Sequence, residues 1–352
     1  MRPPRLLASG TWVLALAVAV VTVVFSLHVW RMLRGRGHAV GDGTTVASYG
    51  FSLTPATIPV DRIVAAGMPR DGLPALVDPA VTTAEGLQAA RGSRRGKVLV
   101  PSDRVVGVRL GGAARAYPLR FLAWHEVAND TLAGRPIAIT YNPLCDSVVV
   151  FSREAGDEVL TFGVSGLLYN SNLLMYDRRS DGGTASLWSQ LLARAVAGPA
   201  AARPAALAVL PATVTTWTRW REAHPDTTVL APDARLAAQY RRDPYASYFG
   251  SDKLRFPVDP LMPTDGLALK TPVVVLQSEA GSVAIPFPTV RAHAGPDGAW
   301  NTTVLGRAVR LVVGDRPPTV DVQLAEDSGV GVVYTFAFAW HAMHPDAPWL
   351  QP

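Results

Sequence analysis

One cysteine, Cys145, is the whole thiol content of this 352-residue sequence. No intramolecular disulfide can form, so stability must come from a packed core. Lysine is nearly missing as well. Lys97, Lys253 and Lys270 are the only ones, and arginine supplies the remaining positive charge behind a net +5. No basic cluster is interleaved with aromatics, which argues against nucleic acid as a partner. Charged residues make up 17% against 49% hydrophobic, a balance that excludes global disorder and allows a large core. Stretches free of Gly and Pro are few, with 30 of one and 29 of the other, so short strands and turns are favoured over long helices. Also missing are a phosphate-binding glycine loop, an H-E-x-x-H zinc motif and a G-x-S-x-G elbow.

What is present begins at the N-terminus. "TWVLALAVAVVTVVFSLHVW", Thr11 to Trp30, contains no Asp, Glu, Lys or Arg and has the roughly 20 apolar residues that a membrane-spanning helix needs. Trp12 and Trp30 stand at its ends, where indoles favour the interface. A signal peptide would show small residues at a cleavage site, whereas "SLHVWRM" is bulky. The segment therefore reads as an uncleaved anchor over residues 1–34, followed by a Gly/Thr/Ser/Pro-rich tether at 35–60 and a globular part at 61–352. Arg2 and Arg5 nearly balance Arg31, Arg34 and Arg36 across the segment, so flanking charge sets its orientation weakly.

The globular part carries an internal repeat. "VVGVRLGGAARAYPLRFLAWH" from Val105 aligns with "VVVLQSEAGSVAIPFPTVRAH" from Val273, matching Ala116 to Ala284, Pro118 to Pro286 and His125 to His293. "NDTLAGRPIAIT" from Asn129 aligns with "NTTVLGRAVRLV" from Asn301, and "VLTFGVSG" from Val159 with "VYTFAFAW" from Val333. Three collinear blocks predict two related β-rich halves, about 61–166 and 253–352, around a mixed insert at about 167–252. "RPIAIT" and "SVVVF" have strand patterning, while "PLRFLAWHEVAND" and "TVTTWTRWREAH" read as helical. In the first of these, Phe121, Trp124, His125 and Ala128 share one helical face. The expected fold is α+β with β dominant, not a doubly wound parallel sheet.

Candidate chemistry gathers near "NPLCD". Asn142-Pro143 initiates a turn, which places Cys145 at a hairpin end beside Asp146. A thiolate there needs an imidazole or cation, and His125 is the nearest supplier along the chain. The pair could serve as nucleophile and base. "WREAHPD" and "WHAMHPD" both end as helices do, with His favouring the negative end and Pro stopping the chain. The second adds His341 to His344, an i, i+3 pair that with Cys145 and His125 would make a soft site for copper or zinc. Tyr169, Asn170, Ser171, Asn172, Tyr176 and Asp177, with Ser189 and Gln190, could line a polar pocket for a small ligand.

"DGLPALVDP", "ARAYPLRFLAWHEVANDTLAGRPIAITYNPLC", "LTFGVSGLLYNSNLLMYDR", "SLWSQ" and "DPYASYF" together resemble the bacterial family catalogued as domain of unknown function 3179. The likeness is dense over residues 70 to 250 and implies no established activity. It does imply an extracytoplasmic protein behind a signal or anchor. Family members show C-P-L-C where this chain has Asn142 to Cys145, so a two-cysteine bridge or clamp is unavailable here. Three readings follow: a membrane-anchored soft-metal or redox accessory protein, a thiol enzyme, or a module that binds a ligand or partner without chemistry.

Overall fold

The computed structural model describes residues 40–89, 99–179, 183–263, 266–326 and 328–350, together with Val13, Leu16, Ala17, Val20 and Val21. Two compact units divide the chain, Met1–Val40 and Gly41–Pro352. In the first, the five described positions inside the expected anchor are helical, and Val13, Leu16, Val20 and Val21 are exposed. The rest of Thr11 to Trp30 lies outside the described residues. Among the described residues no helix is long and apolar enough to cross a membrane.

The second unit is a β-dominant α+β fold with several sheets and few, short helices. Its largest sheet has eight strands in the order Ala299–Val304, Arg307–Asp315, Pro318–Gln323, Thr213–Thr216, Arg104–Leu110, Ala113–Pro118, Thr228–Leu230 and Val81–Thr83. A seven-stranded sheet runs Gly281–Pro286, Pro272–Ser278, Gly331–Phe336, Ser147–Ser152, Arg135–Asn142, Val127–Leu132 and Leu76–Val77. The third has five strands: Ile63–Ala65, Phe162–Tyr169, Asn172–Asp177, Leu187–Ser189 and Arg194–Ala197.

Side-chain alternation along strands decides how these sheets stack. In Ser147–Ser152, Val148 and Val150 join a core with Val106, Val214, Leu311 and Val320 of the eight-stranded sheet. Val149 and Phe151 point the other way, into a core with Val164, Leu174, Trp188 and Val196 of the five-stranded sheet. The seven-stranded sheet is thus the middle layer, apolar on both faces. That is why "SVVVF" is a continuous apolar run rather than an alternating one. The eight-stranded sheet gives one face to this core and packs part of the other, at Val105 and Ala116, against Trp217 and Trp220.

Registers recur between the two large sheets. Val105 pairs with Pro118 and Val273 with Pro286. Thr215 pairs with Val105 and Thr335 with Val273. Val214 pairs with Val320, and Tyr334 with Val148. The hairpin turns Ala133-Gly134 and Leu305-Gly306 both take positive φ, near 49° and 77° in the first and 50° and 72° in the second. That is the backbone a tight two-residue hairpin requires. The block "VLTFGVSG" is different. It lies on strands Glu158–Val159 and Phe162–Tyr169, whereas "VYTFAFAW" runs from strand Gly331–Phe336 into helix Ala337–Met343, so this alignment joins unlike elements.

Two other expectations change. "TVTTWTRWREAH" is strand Thr213–Thr216 followed by helix Trp217–Ala223, because β-branched residues suit the sheet and the Thr216 hydroxyl caps the helix at the Arg219 N–H. "PLRFLAWHEVAND" is helical only over Leu119–Leu122. Glu126 takes φ 55°, which ends the turn and sends Ala128 into a strand. Within the expected tether at 35–60, of which 35–39 lie outside the described residues, Tyr49 is fully buried and donates its hydroxyl to Met68 O at 2.5 Å.

Candidate functional site

The NPLC turn joins Arg135–Asn142 to Ser147–Ser152, with Asn142 opposite Ser147. Its thiol does not face solvent. Cys145 is 0% exposed, donates to Ser171 O at 3.3 Å, and offers its carbonyl to the Phe336 N–H at 2.8 Å. Burial pushes the thiol well above its usual range. Asp146 and Glu126 push the same way, and only the Asn172 amide opposes. This is the thiol of a packed cysteine, held in the protonated form that makes a poor nucleophile and a poor metal ligand.

His125 is equally committed. Its Nδ1 meets Pro74 O at 2.7 Å and its Nε2 meets the Tyr240 hydroxyl at 2.7 Å, while burial lowers its pKa. Both ring nitrogens are taken by groups other than the thiol, and no hydrogen bond among the described residues joins His125 to Cys145. His344 stacks on Trp340 with ring centroids 4.0 Å apart and bonds Leu191 O through Nε2 at 3.1 Å. His341 is its neighbour on the same helix. Among the described residues no three His, Cys, Asp or Glu side chains are grouped to hold a metal. The expected dyad and the expected copper or zinc set are therefore not assembled.

The residues expected to line a polar pocket are interior connectors. Gln190 is their hub: Oε1 accepts from Ser147 Oγ at 2.6 Å and from Asn172 Nδ2 at 2.9 Å, and Nε2 donates to Thr140 Oγ1 at 2.9 Å. Asn170 bonds Ala342 O and Asp259 O, both at 3.1 Å, and Ser171 Oγ donates to Phe256 O at 3.0 Å. The Tyr176 hydroxyl donates to Asp71, Asp177 accepts from the Ser186 N–H, and Ser189 Oγ accepts from the Leu192 N–H. Tyr169 is buried against the apolar core. Satisfied networks of this kind rigidify a core, and these hold the five-stranded sheet to the middle layer.

Glu126 was not singled out by sequence reasoning. It is 6% exposed, and its hydrogen-bond partner is the Asn142 amide at 3.3 Å. Burial pushes its carboxyl up to about 8, with Asn142 opposing. The only sequence signal was an acid in an otherwise apolar stretch, "WHEVA".

Open space lies elsewhere, on the outer face of the eight-stranded sheet. Val106, Val108, Val214, Val320 and Val322 point inward, so their strand neighbours Gly107, Arg109, Thr213, Thr215, Asp321 and Gln323 point outward. With helix Trp217–Ala223 these line a cavity of about 280 Å³. A second cavity of about 610 Å³ shares Arg109, Ala223, His224 and Glu326 with it, so the two form one groove. Gly107 makes the groove possible, because the Trp220 ring occupies the place a Cβ would take.

Two ion pairs cross this groove. Arg219 meets Asp321 at 3.1 Å and Arg109 meets Glu326 at 2.8 Å. Gly314 leaves room for the first, since a Cβ there would strike both Thr319 Oγ1 and Arg219 Nη1. Burial pushes the Asp321 carboxyl up to about 6, opposed by Arg219 and by the nearby Thr215 and Thr319 hydroxyls. Thr215 and Thr319 are 2% and 1% exposed. Close as they are to the carboxylate, their hydroxyls and Asp321 Oδ1 are buried without an aligned hydrogen-bond partner. All three atoms are closed to solvent, and the hydroxyls act on the carboxylate as donors, so their mutual contact accounts for their burial.

Comparison of the chain with curated proteins and with solved structures gives no match. A family model does match, over residues 70–320, and that span takes in Cys145, Glu126 and the groove residues from Gly107 to Thr228. The chain belongs to the family described as "Protein of unknown function (DUF3179)".

Proposed function

We propose that this protein is a non-catalytic binding module whose ligand enters the groove beneath helix Trp217–Ala223. The observation that carries the reading is the groove itself, two adjoining cavities of about 280 and 610 Å³ whose outward-facing walls include Arg109, Thr213 and Gln323. The readings built on Cys145 lose their support, because a buried, protonated thiol whose neighbours are already hydrogen-bonded has little chemistry to offer.

Ala223 is exposed and borders both cavities, so Ala223→Trp fills the groove from its rim without touching the core. In a small-molecule screen on the full chain, ligands that raise the melting temperature should lose that effect in Ala223→Trp and keep it in Cys145→Ser. The opposite pattern would sink the groove and restore the thiol.

Two further parts of the proposal concern organisation. Thr11 to Trp30 anchors the chain in the membrane with residues 41–352 outside the cytoplasm, which the uncharged apolar run and the family resemblance support. Alkaline phosphatase fused after Pro352 should be active, and an inactive, stable fusion would place the domain inside. The matched registers support an internal duplication in which each half gives a hairpin and a returning strand to one sheet and a three-stranded meander to the other. The shared W-x-x-x-H-P-D ends then mark equivalent helices, and four strands of the five-stranded sheet, from Phe162 to Ala197, are an insert in the first half. An experimental structure superposed on itself, first half on second, should align these strands in order and direction, and a mismatch in either refutes the duplication.

A further inference from the structure

The two large sheets share one short joint. In the middle layer, strand Gly331–Phe336 meets Ser147–Ser152 only at Val333 with Val149 and Tyr334 with Val148. In the eight-stranded sheet, Thr213–Thr216 meets Pro318–Gln323 only at Val214 with Val320. Beyond these pairs the strands part. Counting on along each register sets Val332 opposite Val150, and Ala212 opposite Val322. In the middle layer the chain itself fills the split. Residues 208–210 run between the parted strands, where Leu210 donates its N–H to Val150 O at 2.8 Å and accepts from the Val332 N–H at 3.4 Å. Ala208 O accepts from the Ser152 N–H at 2.9 Å. One inserted stretch of backbone thus serves both strands.

The joint of the eight-stranded sheet has the same groups and no segment between them. Val322 turns its N–H into the split, where Thr213 Oγ1 accepts it at 3.1 Å. In an antiparallel strand the N–H and C=O of one residue face the same way, and residues two apart agree. Val322 O and the Leu324 N–H therefore face the split from one side, and the Ala212 N–H faces it from the other. Among the described residues no hydrogen bond reaches any of the three. They are the counterparts of Val150 O, Ser152 N–H and Val332 N–H. The Tyr334 hydroxyl, donating to Val320 O at 2.8 Å, closes one end of the split. Below it Ala212, Val322 and Leu324 line the cavity of about 280 Å³, so the open space begins at these groups. Unpaired strand edges of this kind are what an added strand bonds.

We infer that the groove binds an extended, uncharged segment of a partner protein, which adds as a short strand between Ala212 and Val322. Its backbone donates to Val322 O and accepts from the Ala212 and Leu324 N–H groups, as residues 208–210 do in the middle layer. Side chains along such a segment alternate. Those turned inward meet Leu210, Val322 and Val330 of the core, which calls for aliphatic residues. Those turned outward meet Arg109 and Glu326, whose charges cancel across 2.8 Å and favour neither sign. The inference rests on the groove being the ligand site and deepens it by naming the class.

The test uses the full chain in detergent and two probes. One is the acetylated, amidated peptide RPAALAVL, the sequence of residues 203–210, and the other a random heptapeptide library displayed on phage. Calorimetric titration should show saturable binding of the peptide or of aliphatic-rich library members, with slowed hydrogen exchange at the Ala212 and Leu324 amides. N-methylating the central amides of the bound peptide should weaken it about tenfold or more, roughly the worth of one or two hydrogen bonds. Leu324→Pro removes a donor that bonds nothing in the free chain, so it should weaken binding similarly while the melting temperature holds. Should that variant misfold, the exchange and N-methyl results on the unaltered chain decide. Binding indifferent to N-methylation, with no protection at Ala212 or Leu324, overturns strand addition. If no peptide binds while small molecules still bind in a way that Ala223→Trp blocks, the polypeptide class falls and the groove stands. If neither binds, both readings fall. Self-association of the free chain that Leu324→Pro disperses would make the occupant a second copy and overturn the partner.

Discussion

Glu126→Gln is expected to stabilise the protein at pH 8.5 and to leave it nearly unchanged at pH 4. The carboxyl is buried and pushed up to about 8, against an ordinary value of 4.5. Its neighbours offer little relief. The Asn142 amide is its hydrogen-bond partner, and the Cys145 thiol and Tyr245 phenol feel its charge as a repulsion that raises their own pKa values. In the folded chain Glu126 therefore keeps its proton to about pH 8, while the unfolded chain releases it near 4.5. Between those values the folded state binds more protons, so stability falls as pH rises through the window and levels off above it. Each pH unit of that window costs about 1.4 kcal/mol, which makes the loss on the order of a few kcal/mol. Glutamine keeps the shape and removes the titration. Urea unfolding of both chains at pH 4, 6 and 8.5 measures the difference directly. Parallel wild-type and Glu126→Gln curves across the window would show that Glu126 is already ionised in the fold.

The same residue explains what Asn142 does. A cysteine at this position would be only a weak donor and a weak acceptor. The Asn142 amide does both tasks at once, accepting the Cys145 N–H at 3.2 Å and donating to Glu126 at 3.3 Å. Asparagine thus stabilises the turn and partly satisfies the buried acid. The loop in this chain is a structural clamp, and Cys145 is packed within it.

Much of the architecture could be read from the chain, and the reason is local. "RPIAIT" and "SVVVF" carry strand patterning in single short windows, and each is a strand in the fold. The errors arose where a helical period coincided with β-branched residues, as in "TVTT", or where a single left-handed residue, Glu126, broke a helix that spacing alone would have continued. The site was less legible. Tyr169 to Asp177 looked like a polar lining because of their composition, but whether hydrogen-bonding side chains face a cavity or one another depends on strands far away in sequence. Gln190 reaching Thr140 settles it for that cluster. The groove shows the converse. Gly107, Thr215 and Asp321 come from three strands remote in sequence, and no spacing rule links them. Its faint signature was the doubled W-x-x-x-H-P-D run, which reads most simply as two helix ends.

Gly107 should prove the least replaceable residue of that groove. It stands in the middle of strand Arg104–Leu110, where a glycine ordinarily weakens pairing and invites substitution. Here the Trp220 ring lies across its backbone so closely that any Cβ would overlap three ring carbons. Trp220 has nowhere to go. Its indole N–H donates to Thr227 Oγ1 at 2.8 Å, and the ring is packed with Val105, Ala116, Trp217 and Val229 on one side and His224 on the other. Gly107→Ala, usually mild in a strand, is therefore expected to cost roughly 3 kcal/mol, at the upper end for overpacking, because the ring must leave its place and break that bond. Trp220→Leu alone will also destabilise, but it removes the obstacle. In the double variant the cost of Gly107→Ala should shrink to about a few tenths of a kcal/mol, and the coupling from a double-mutant cycle is the quantity to measure by urea unfolding. Additive effects would mean that the strand, not the ring, resists a side chain at 107. Strong coupling would establish that the groove floor exists because one strand residue has no side chain, and that the site is built by packing rather than left over from it.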